Sequence, residues 1–242
     1  MSRPELKIGW ATHEAAKYAC ETWHYSKVLP AGKIVKVGVW EDGAFIGVVL
    51  FSRGATPNIG NPYNLQQTEV CELTRIALNS HKTPVSRIMM IALKFLKQKS
   101  SSLRLVVSYA DPDQGHHGGV YQATNWIYSG RSKAQCELII NGKAVHKRSA
   151  FSKYGTSSPK MIMKKANVSA QYGSLKWKHT YLMPLDEAMR AQILPLSKPY
   201  PKRAGSIVVN ASGVHPEEGG AEPTPALHSE QSKKVRNNAI RS

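Results

Sequence analysis

The chain has few acidic residues, few cysteines and no long apolar run. Its 242 residues include 16 Asp and Glu against 33 Lys and Arg, a net charge of +17. A soluble chain with this excess is expected to meet a polyanionic partner. The three cysteines, Cys20, Cys71 and Cys136, are odd in number and lack CxxC spacing. That pattern argues against a disulfide framework or a zinc knuckle.

No stretch approaches the ~20 apolar residues that span a bilayer, and residues 1–5 lack the apolar core of a signal peptide. We therefore expect no membrane partner and a location in the cytoplasm. Beyond Pro195 the composition shifts to Pro, Lys, Gly, Ser and Glu, which predicts disorder. The predicted organisation is one domain over residues 1–197 and a disordered tail over 198–242. The first residues of the tail, 198–203, are either a linker or an extended arm that contacts DNA, and we favour the linker.

Most of the positive charge lies in the body, because residues 198–242 hold only 7 basic and 4 acidic residues. Between Ser132 and Tyr181 there are 10 Lys or Arg and one acid, Glu137. Cations interleaved with aromatic residues are typical of surfaces that contact phosphates and stack on bases. The aromatic residues of this stretch are Phe151, Tyr154, Tyr172 and Trp177.

Strands and helices alternate along the chain. Apolar residues recur at helical spacing over His13–Trp23 and over residues 85–98, and Asp186 is placed to cap a late helix over 186–194. An Asp-Gly pair at 42–43 predicts a tight hairpin. The predicted strands cover residues 33–40, 45–51, 70–78, 103–107, 126–128, 137–140 and 179–185.

The segment from Ser108 to Tyr121 is chemically the densest part of the chain. It places two carboxylates, two imidazoles and two tyrosines within fourteen residues, directly after an apolar strand. Open α/β sheets bind ligands at the carboxyl ends of strands. The segment therefore predicts an active site, and a polar turn with histidines in solvent is the plainer alternative. Elsewhere, Glu72 and Arg75 lie inside an apolar strand, where charges need a partner or a function.

The order of the elements resembles the GNAT acyltransferase fold, an α/β (α+β) fold with a mixed central sheet flanked by helices. Over about residues 8–200 the chain also resembles the Mom family of bacteriophage DNA modification proteins. The motifs that carry this resemblance are His24-Tyr25-Ser26, Glu72-Leu-Thr-Arg75, Ala110-Asp111-Pro112, Gly115-His-His-Gly118 and Tyr121. Members of the family attach a carbamoylmethyl group to the exocyclic amine of adenine in phage DNA, which protects the DNA from host restriction.

The resemblance implies a set of site residues and partners. The implied catalytic residues are His24, Tyr25, Asp111 and Tyr121, and Arg75 is a weaker candidate for substrate binding. The implied partners are double-stranded DNA with a flipped adenine and a small-molecule donor, in the host cytoplasm. Lys82 and Arg87 are candidates for holding a phosphate at a helix N-terminus. From the basic stretch, Tyr154 and Trp177 are candidates for stacking on bases.

Transfer of a group to the adenine amine requires base flipping and a general base. The adenine amine is paired inside the duplex, so the base must be flipped at a cost of a few kcal/mol. The amine is a poor nucleophile because its lone pair is delocalised, so a base must take its proton, and Asp111 is our candidate. Tyr25 and Tyr121 are placed to stack on the base or donate to an oxyanion. His24 is expected to orient a reactant or to bind a metal.

The sequence does not decide the identity of the donor or whether a metal is bound. GNAT enzymes bind the CoA pyrophosphate with a glycine-containing loop before the central helix, and residues 79–87 of this chain contain no glycine. Acetyl-CoA is therefore only one option beside another acyl or aminoacyl donor. Iron is the second option, because some family members need it and the chain has oxygen and nitrogen ligands of a suitable kind. The candidate ligands are His24, Asp111, His116 and His117.

Three other functions compete with this one. A DNA adenine methyltransferase is suggested by Ala110-Asp-Pro-Asp113, but the motif lacks its final aromatic residue and no early Gly-x-Gly loop is present. An acyltransferase acting on a protein or a small molecule explains the element order and leaves the basic stretch without a role. A non-catalytic nucleic-acid binder would give Asp111 and the histidines no role.

Overall fold

The computed structural model describes residues 3–54, 56–145 and 147–202. Ten β-strands lie in this part of the chain: β1 (Leu6–Trp10), β2 (Ile34–Glu41), β3 (Ala44–Ser52), β4 (Val70–Leu78), β5 (Leu105–Ala110), β6 (Ile127–Arg131), β7 (Gln135–Ile140), β8 (Lys143–Val145), β9 (Ala170–Lys176) and β10 (His179–Pro184). Six α-helices accompany them there: α1 (His13–Trp23), α2 (Val85–Lys99), α3 (Gly119–Gln122), α4 (Lys147–Tyr154), α5 (Pro159–Lys165) and α6 (Glu187–Ile193). Within the described residues, no helix is both long and apolar enough to cross a membrane.

Seven strands form the main sheet, in the order β1-β2-β3-β4-β5-β10-β6. Neighbouring strands are antiparallel except for β4 and β5, which are parallel. A second sheet has the order β8-β7-β9, and its strands lie in the chain between β6 and β10. The predicted α/β fold with a mixed central sheet flanked by helices is confirmed.

The hairpin between β2 and β3 forms where the Asp-Gly pair predicts it. Glu41 lies opposite Ala44, and the two residues between them have positive φ, +49° at Asp42 and +80° at Gly43. Two successive positive φ values are the requirement of the tight turn that matches the twist of paired strands.

The main sheet is covered on both faces, and β3 shows how the faces divide. Val48 and Leu50 pack under α1, whose buried residues are small. Val49 and Phe51 point the opposite way and pack under α2. The buried residues of α2 are Ile88, Met89, Ala92, Leu93 and Leu96. Each buried Ile, Leu or Met side chain among them stabilises the fold by about 1.5–3 kcal/mol relative to exposure.

α6 covers the half of the sheet that α1 leaves open. Met189 and Ile193 of this helix pack with Leu105, Val107 and Leu182 in a separate cluster. The predicted cap is present, because the Asp186 carboxylate accepts a hydrogen bond from the Met189 amide at 2.7 Å. This carboxylate also binds the Arg104 guanidinium at 3.0 and 3.2 Å, which fixes the start of α6 to the start of β5.

The chain between β6 and β10 forms a separate layer that we call the inserted unit, residues 132–178. It contains β7, β8, β9, α4 and α5. Of these the sequence predicts only a hairpin arm over 137–140, which turns at Asn141-Gly142, and the pairing of β7 with β8 confirms it. Leu138 and Ile140 lie two residues apart in β7 and therefore share one face of the small sheet. Ala150 of α4 and Ile162 of α5 pack on that face, so both helices cover the same side.

Residues 198–202 lie against the body, beyond the predicted domain boundary. The Lys198 amide donates to the carbonyl oxygen of Tyr128 at 2.8 Å, and the Tyr200 hydroxyl donates to the carbonyl oxygen of Trp126 at 2.7 Å. The remainder of the predicted disordered tail, residues 203–242, lies outside the described residues.

Candidate active site

The main sheet opens between β4 and β5. Their pairing ends where Leu73 lies opposite Ser108, while β4 runs on to Leu78. Just beyond Leu73, Thr74 is an extra residue in the pairing of β4 with β3. Such a bulge bends a strand, so β4 turns away from β5. The resulting opening, the β4–β5 cleft, lies at the carboxyl ends of both strands, where open α/β sheets bind ligands.

Tyr121 lies at the apex of the cleft. Its hydroxyl is 2.8 Å from Ser108 Oγ, which is 2.9 Å from the carbonyl oxygen of Leu73. A serine hydroxyl has one hydrogen and a carbonyl oxygen only accepts, so when Ser108 donates to Leu73 it accepts from Tyr121. Burial raises the pKa of Tyr121, which keeps the phenol protonated at neutral pH. Tyr121 is thus an ordered, protonated hydroxyl.

Gly118 allows the Tyr181 ring, which packs beside Tyr121, to lie against the backbone. Tyr121 is packed between Trp126 and Tyr181, each with a ring centroid 5.0 Å away. Gly118, which precedes α3, has φ +86°, and a Cβ at this position would collide with the Tyr181 ring. The site therefore needs glycine at 118, both for its backbone conformation and for the space that the ring occupies.

His24 lies immediately after α1 and faces Arg75 of β4. Its Nδ1 is 3.1 Å from Arg75 Nη1 and 3.1 Å from the Ser26 amide nitrogen. Both of those groups can only donate, so Nδ1 must be the unprotonated, accepting nitrogen. In the neutral ring the hydrogen is then on Nε2. The Ser26 hydroxyl also contacts Nδ1, at 2.8 Å.

The surroundings of His24 keep its ring neutral. Burial lowers its pKa to about 4, and the positive charges of Arg75, His116 and Lys27 add to this effect. At neutral pH His24 is consequently a neutral imidazole that presents an Nε2–H donor. It is not free to act as a base through Nδ1, because that lone pair is already engaged.

Tyr25 joins the two segments that the sequence singled out. Its ring lies 4.2 Å from that of His24, centroid to centroid, and meets the His116 ring edge-on at 5.5 Å. Its side chain is 54% exposed, a large exposure for a tyrosine between two other rings. The loop after α1 and the loop after β5 thus face each other at the cleft, with an accessible aromatic surface between them.

Asp111 ends the cleft on the β5 side. One of its oxygens accepts the Asp113 amide at 3.1 Å, and the other lies 3.3 Å from Lys178 Nζ. The neighbouring Asp113 pairs with Lys176 at 2.8 Å. Both carboxylates of the loop are therefore tied to the chain that links β9 to β10, and the loop is braced against the inserted unit.

The predicted metal ligands do not form a metal site. Among the residues that the structure describes, no three His, Cys, Asp or Glu side chains come together in a way that could hold a metal ion. His24 presents a protonated Nε2, and its Nδ1 lies against a guanidinium. Asp111 faces an ammonium group, and His116 contacts Tyr25. The set His24, Asp111, His116 and His117, as arranged here, does not fit an iron ion.

The loop before α2 does not fit a CoA pyrophosphate either. Glu41 is almost fully buried, and its two carboxylate oxygens accept the backbone amides of Lys82 and Thr83 at 2.8 Å each. An internal anion thus already occupies amides that could bind a phosphate group. Lys82 is exposed and Arg87 is half-buried on the first turn of α2, so the structure places both candidates at this loop.

The predicted stacking residues lie in different surroundings. The Arg131 guanidinium lies 4.0 Å from the centre of the Trp177 ring, and Trp177 meets His179 edge-on at 5.0 Å. Tyr154 is half-buried and packs against the small core of the inserted unit. The most exposed aromatic residues of the stretch are Phe151 and Tyr172, at 61% and 56%.

The structure therefore brings His24, Tyr25, Arg75 and Tyr121 to one cleft and Asp111 to its edge. It leaves Tyr154 in the inserted unit. Two residues with clear contacts were missed, Ser108 and Lys178. Ser108 was the one polar side chain in an apolar strand, a signal for a buried hydrogen bond, whereas nothing in the sequence connected Lys178 to Asp111.

Comparison with known proteins finds a matching family and a curated relative. The model of the Mom protein family matches residues 5–202. The methylcarbamoylase mom of Escherichia phage Mu is 28% identical over 130 residues, which cover 52% of this chain and 54% of that protein. The alignment thus spans about half the length of this relative.

Two matches among solved structures are distant from this chain in sequence. A protein of Acinetobacter baylyi assigned to the acetyltransferases is 12% identical, with a TM-score of 0.42 over 77% of this chain and 95% of that one. FeeM, an N-acyl amino acid synthase from uncultured soil microbes, is 10% identical, with a TM-score of 0.43 over 78% and 94%.

Proposed function

The chain belongs to the Mom protein family, and on this basis we propose that it is a phage DNA modification enzyme that converts adenine to N6-carbamoylmethyladenine. The modification would protect phage DNA from restriction in the host cytoplasm. The observation that supports this most directly is the family match over residues 5–202, which is almost the whole described body. The net charge of +17 agrees with a DNA substrate.

In the proposed reaction a bond forms between adenine N6 and the methylene carbon of the donor. N6 loses one proton, and the donor carbon loses its leaving group. The side chains at the cleft can divide these tasks. Asp111 takes the proton from the amine. The Nε2–H of His24 donates a hydrogen bond to the negative charge that develops on the donor. Tyr121 turns its single hydroxyl hydrogen from Ser108 Oγ to the same charge when the donor is bound.

Arg75 and Tyr25 have supporting roles in this proposal. Arg75 donates to His24 Nδ1 and so keeps the hydrogen of His24 on Nε2. Tyr25 offers an exposed ring on which a flipped base can stack, next to His24. The donor would lie deeper, towards Tyr121, and the base nearer the mouth of the cleft.

A second candidate is an N-acyltransferase acting on a protein or a small molecule. The sheet order and the single parallel strand pair favour it. The contact of Glu41 with the Lys82 and Thr83 amides disfavours it where the donor is a CoA thioester.

Two neighbouring carboxylates provide the test. Asp111 and Asp113 lie on the same loop, and each pairs with a lysine. We expect Asp111→Asn to lower the level of modified deoxyadenosine in plasmid DNA from expressing cells by about 10²-fold or more. Asp113→Asn should leave it near the wild-type level. Equal effects of the two substitutions would remove Asp111 from the mechanism.

A further inference from the structure

Helices α4 and α5 of the inserted unit carry charge of a single sign. Their fifteen residues, 147–154 and 159–165, include six Lys or Arg and no acid. Four of these lysines are exposed, and like charges packed this closely repel one another. Such an arrangement gains stability from an anionic partner. The exposed lysines are Lys153, Lys160, Lys164 and Lys165.

The same two helices also expose large apolar side chains. Phe151 of α4 is 61% exposed, and Met161 and Met163 of α5 are 43% and 46% exposed. Each is next in sequence to a residue that fills the small core, Ala150 or Ile162. The exposed side chains therefore flank the buried ones and are not needed for the core itself.

The two helices form one surface. Ala150 and Ile162 pack on the same face of β7, so the outer sides of α4 and α5 face away from it together. Lys165 Nζ donates to the carbonyl oxygen of Tyr154 at 3.2 Å, which joins the end of α5 to the end of α4. We call this the α4–α5 surface.

The α4–α5 surface belongs to a unit that is fixed at the edge of the cleft. The Ser132 amide donates to the carbonyl oxygen of Lys178 at 2.7 Å, which closes the base of the unit. Lys176 and Lys178 at this base pair with Asp113 and Asp111. The inserted unit is thereby fixed to the loop that carries Asp111.

We propose that the α4–α5 surface docks duplex DNA, with lysines on the phosphates and Phe151, Met161 and Met163 as an apolar wedge against the base stack. Proteins that distort DNA insert Phe or Met between base steps while Lys and Arg hold the backbone. A base must leave the stack before its amine can react, and a wedge lowers the cost of that step. The inference rests on the proposed function, which requires a flipped adenine.

Exposed lysines beside apolar side chains can also bind an anionic membrane surface, which is the alternative partner. Interfacial helices bury a continuous apolar face. α4 and α5 have eight and seven residues, and their apolar faces are already used by the core of the unit. Duplex DNA is therefore the partner that charge and shape favour.

The lysines are tested by binding of the full-length chain to a labelled duplex across a salt series. Lys160→Ala with Lys164→Ala should weaken binding about tenfold and lower the salt dependence by about two released counterions. The matched control is Lys94→Ala with Lys99→Ala, which removes the same charge from exposed positions on α2. An identical salt dependence in the two double variants would overturn the proposal.

The wedge is tested with Phe151→Ala, which changes no charge. Its salt dependence should stay that of the wild type, while affinity for an intact duplex falls several-fold. The loss should shrink on a duplex with a central mismatched step, where unstacking is already cheap. An equal loss on both duplexes, or none on either, contradicts the wedge. Near-UV and far-UV circular dichroism confirm that each variant is folded.

Failure of this inference is distinguishable from failure of the proposed function, because binding is measured without any donor. Lysine variants that bind weakly while the wild type leaves DNA unmodified would uphold the surface and remove the function. Modified DNA together with unimpaired binding in the lysine variants would uphold the function and overturn the proposed surface.

Binding to vesicles that contain phosphatidylglycerol tests the membrane alternative. If the variants lose vesicle binding and keep duplex binding, the surface is a membrane site and the proposal is overturned.

Discussion

At the residue scale, the chemistry of the cleft depends on which side-chain atoms carry a hydrogen. His24 presents Nε2–H because Arg75 and the Ser26 amide both donate to its Nδ1. Tyr121 keeps its proton because it is buried. Both residues are therefore hydrogen-bond donors at neutral pH, and in the proposed reaction Asp111 takes the proton.

Replacing Arg75 should change the titration of His24. In Arg75→Met the pKa of His24 should rise from about 4 but stay below its ordinary value, because burial is the larger cause and remains. The ring nitrogen shifts of His24 in an NMR titration measure this directly. Lys27→Gln, which removes the smallest of the contributing charges, should raise the pKa less. An equal rise in both variants would contradict the assigned role of Arg75.

Removing the Tyr121 hydroxyl should separate activity from stability. Tyr121→Phe should lower DNA modification by about 10²-fold or more, since it removes the hydroxyl hydrogen that in the proposed reaction turns from Ser108 to the developing negative charge. It should cost less than about 1 kcal/mol of unfolding free energy, because Ser108 still donates to Leu73. Urea unfolding and nucleoside analysis give the two values. Tyr63→Phe, in the loop before β4, is the control and should retain activity.

Single residues show where sequence reasoning ends. The candidates His24, Tyr25, Arg75 and Tyr121 could be named from the sequence because each lies in a recognisable motif. The tautomer of His24 could not be, since it depends on a guanidinium 51 residues away in the chain. The pairing of Asp111 with Lys178 was equally hidden, because it depends on the position of the whole inserted unit.

At the element scale, the loop before α2 and the first turn of α6 are each held by a single carboxylate. Glu41, at the end of β2, accepts two amides of the loop before α2. Asp186 accepts the Met189 amide at the start of α6 and binds Arg104. In both cases hydrogen bonds to the charged form lower the pKa of the carboxyl group.

Glu41→Gln should destabilise the loop in a pH-dependent way. The pKa of Glu41 is lowered by the hydrogen bonds from Thr83 and Lys82, so its contribution is full above the pKa of the unfolded chain. It is lost as the pH falls through the lower folded value. The wild type should therefore have the higher urea midpoint at pH 7, and the difference should shrink in acid. Glu21→Gln, an exposed i,i+4 pair with Lys17, should show little effect at either pH.

Asp186→Ala should destabilise α6 by about 1–2 kcal/mol, because it removes the helix cap and the Arg104 partner. The pKa of Asp186 is lowered, mainly by Arg104, so this contribution also disappears as the pH falls through the folded value. Urea unfolding at neutral and acid pH measures both effects. The same loss of stability at the two values of pH would contradict the assignment.

Elements with strong local signals were predictable. α1, α2, β4 and the β2–β3 hairpin have either clear periodicity or an Asp-Gly turn, and the structure confirms them. α4, α5 and β9 were missed. The two helices are short, with few apolar residues among many lysines, and they are stabilised by packing on β7 rather than by their own pattern.

At the scale of the whole molecule, two features converge on one edge of the main sheet. The β4–β5 cleft opens at the carboxyl ends of its strands, and the inserted unit joins the sheet at Arg131 and His179, which lie opposite each other and beside Ala110. Charge that attracts a polyanion is thus adjacent to the groups that would act on a base. Composition alone predicted the charge, but only the strand order places it beside the cleft.

The proposed function requires that adenine in DNA is modified when this chain is present. The most direct measurement is mass spectrometry of nucleosides from plasmid DNA of bacteria that express the chain. We expect a deoxyadenosine heavier by one carbamoylmethyl group, with fragmentation that places the group on the base. Unmodified deoxyadenosine in cells that contain folded protein, or an adduct on another base, would contradict it.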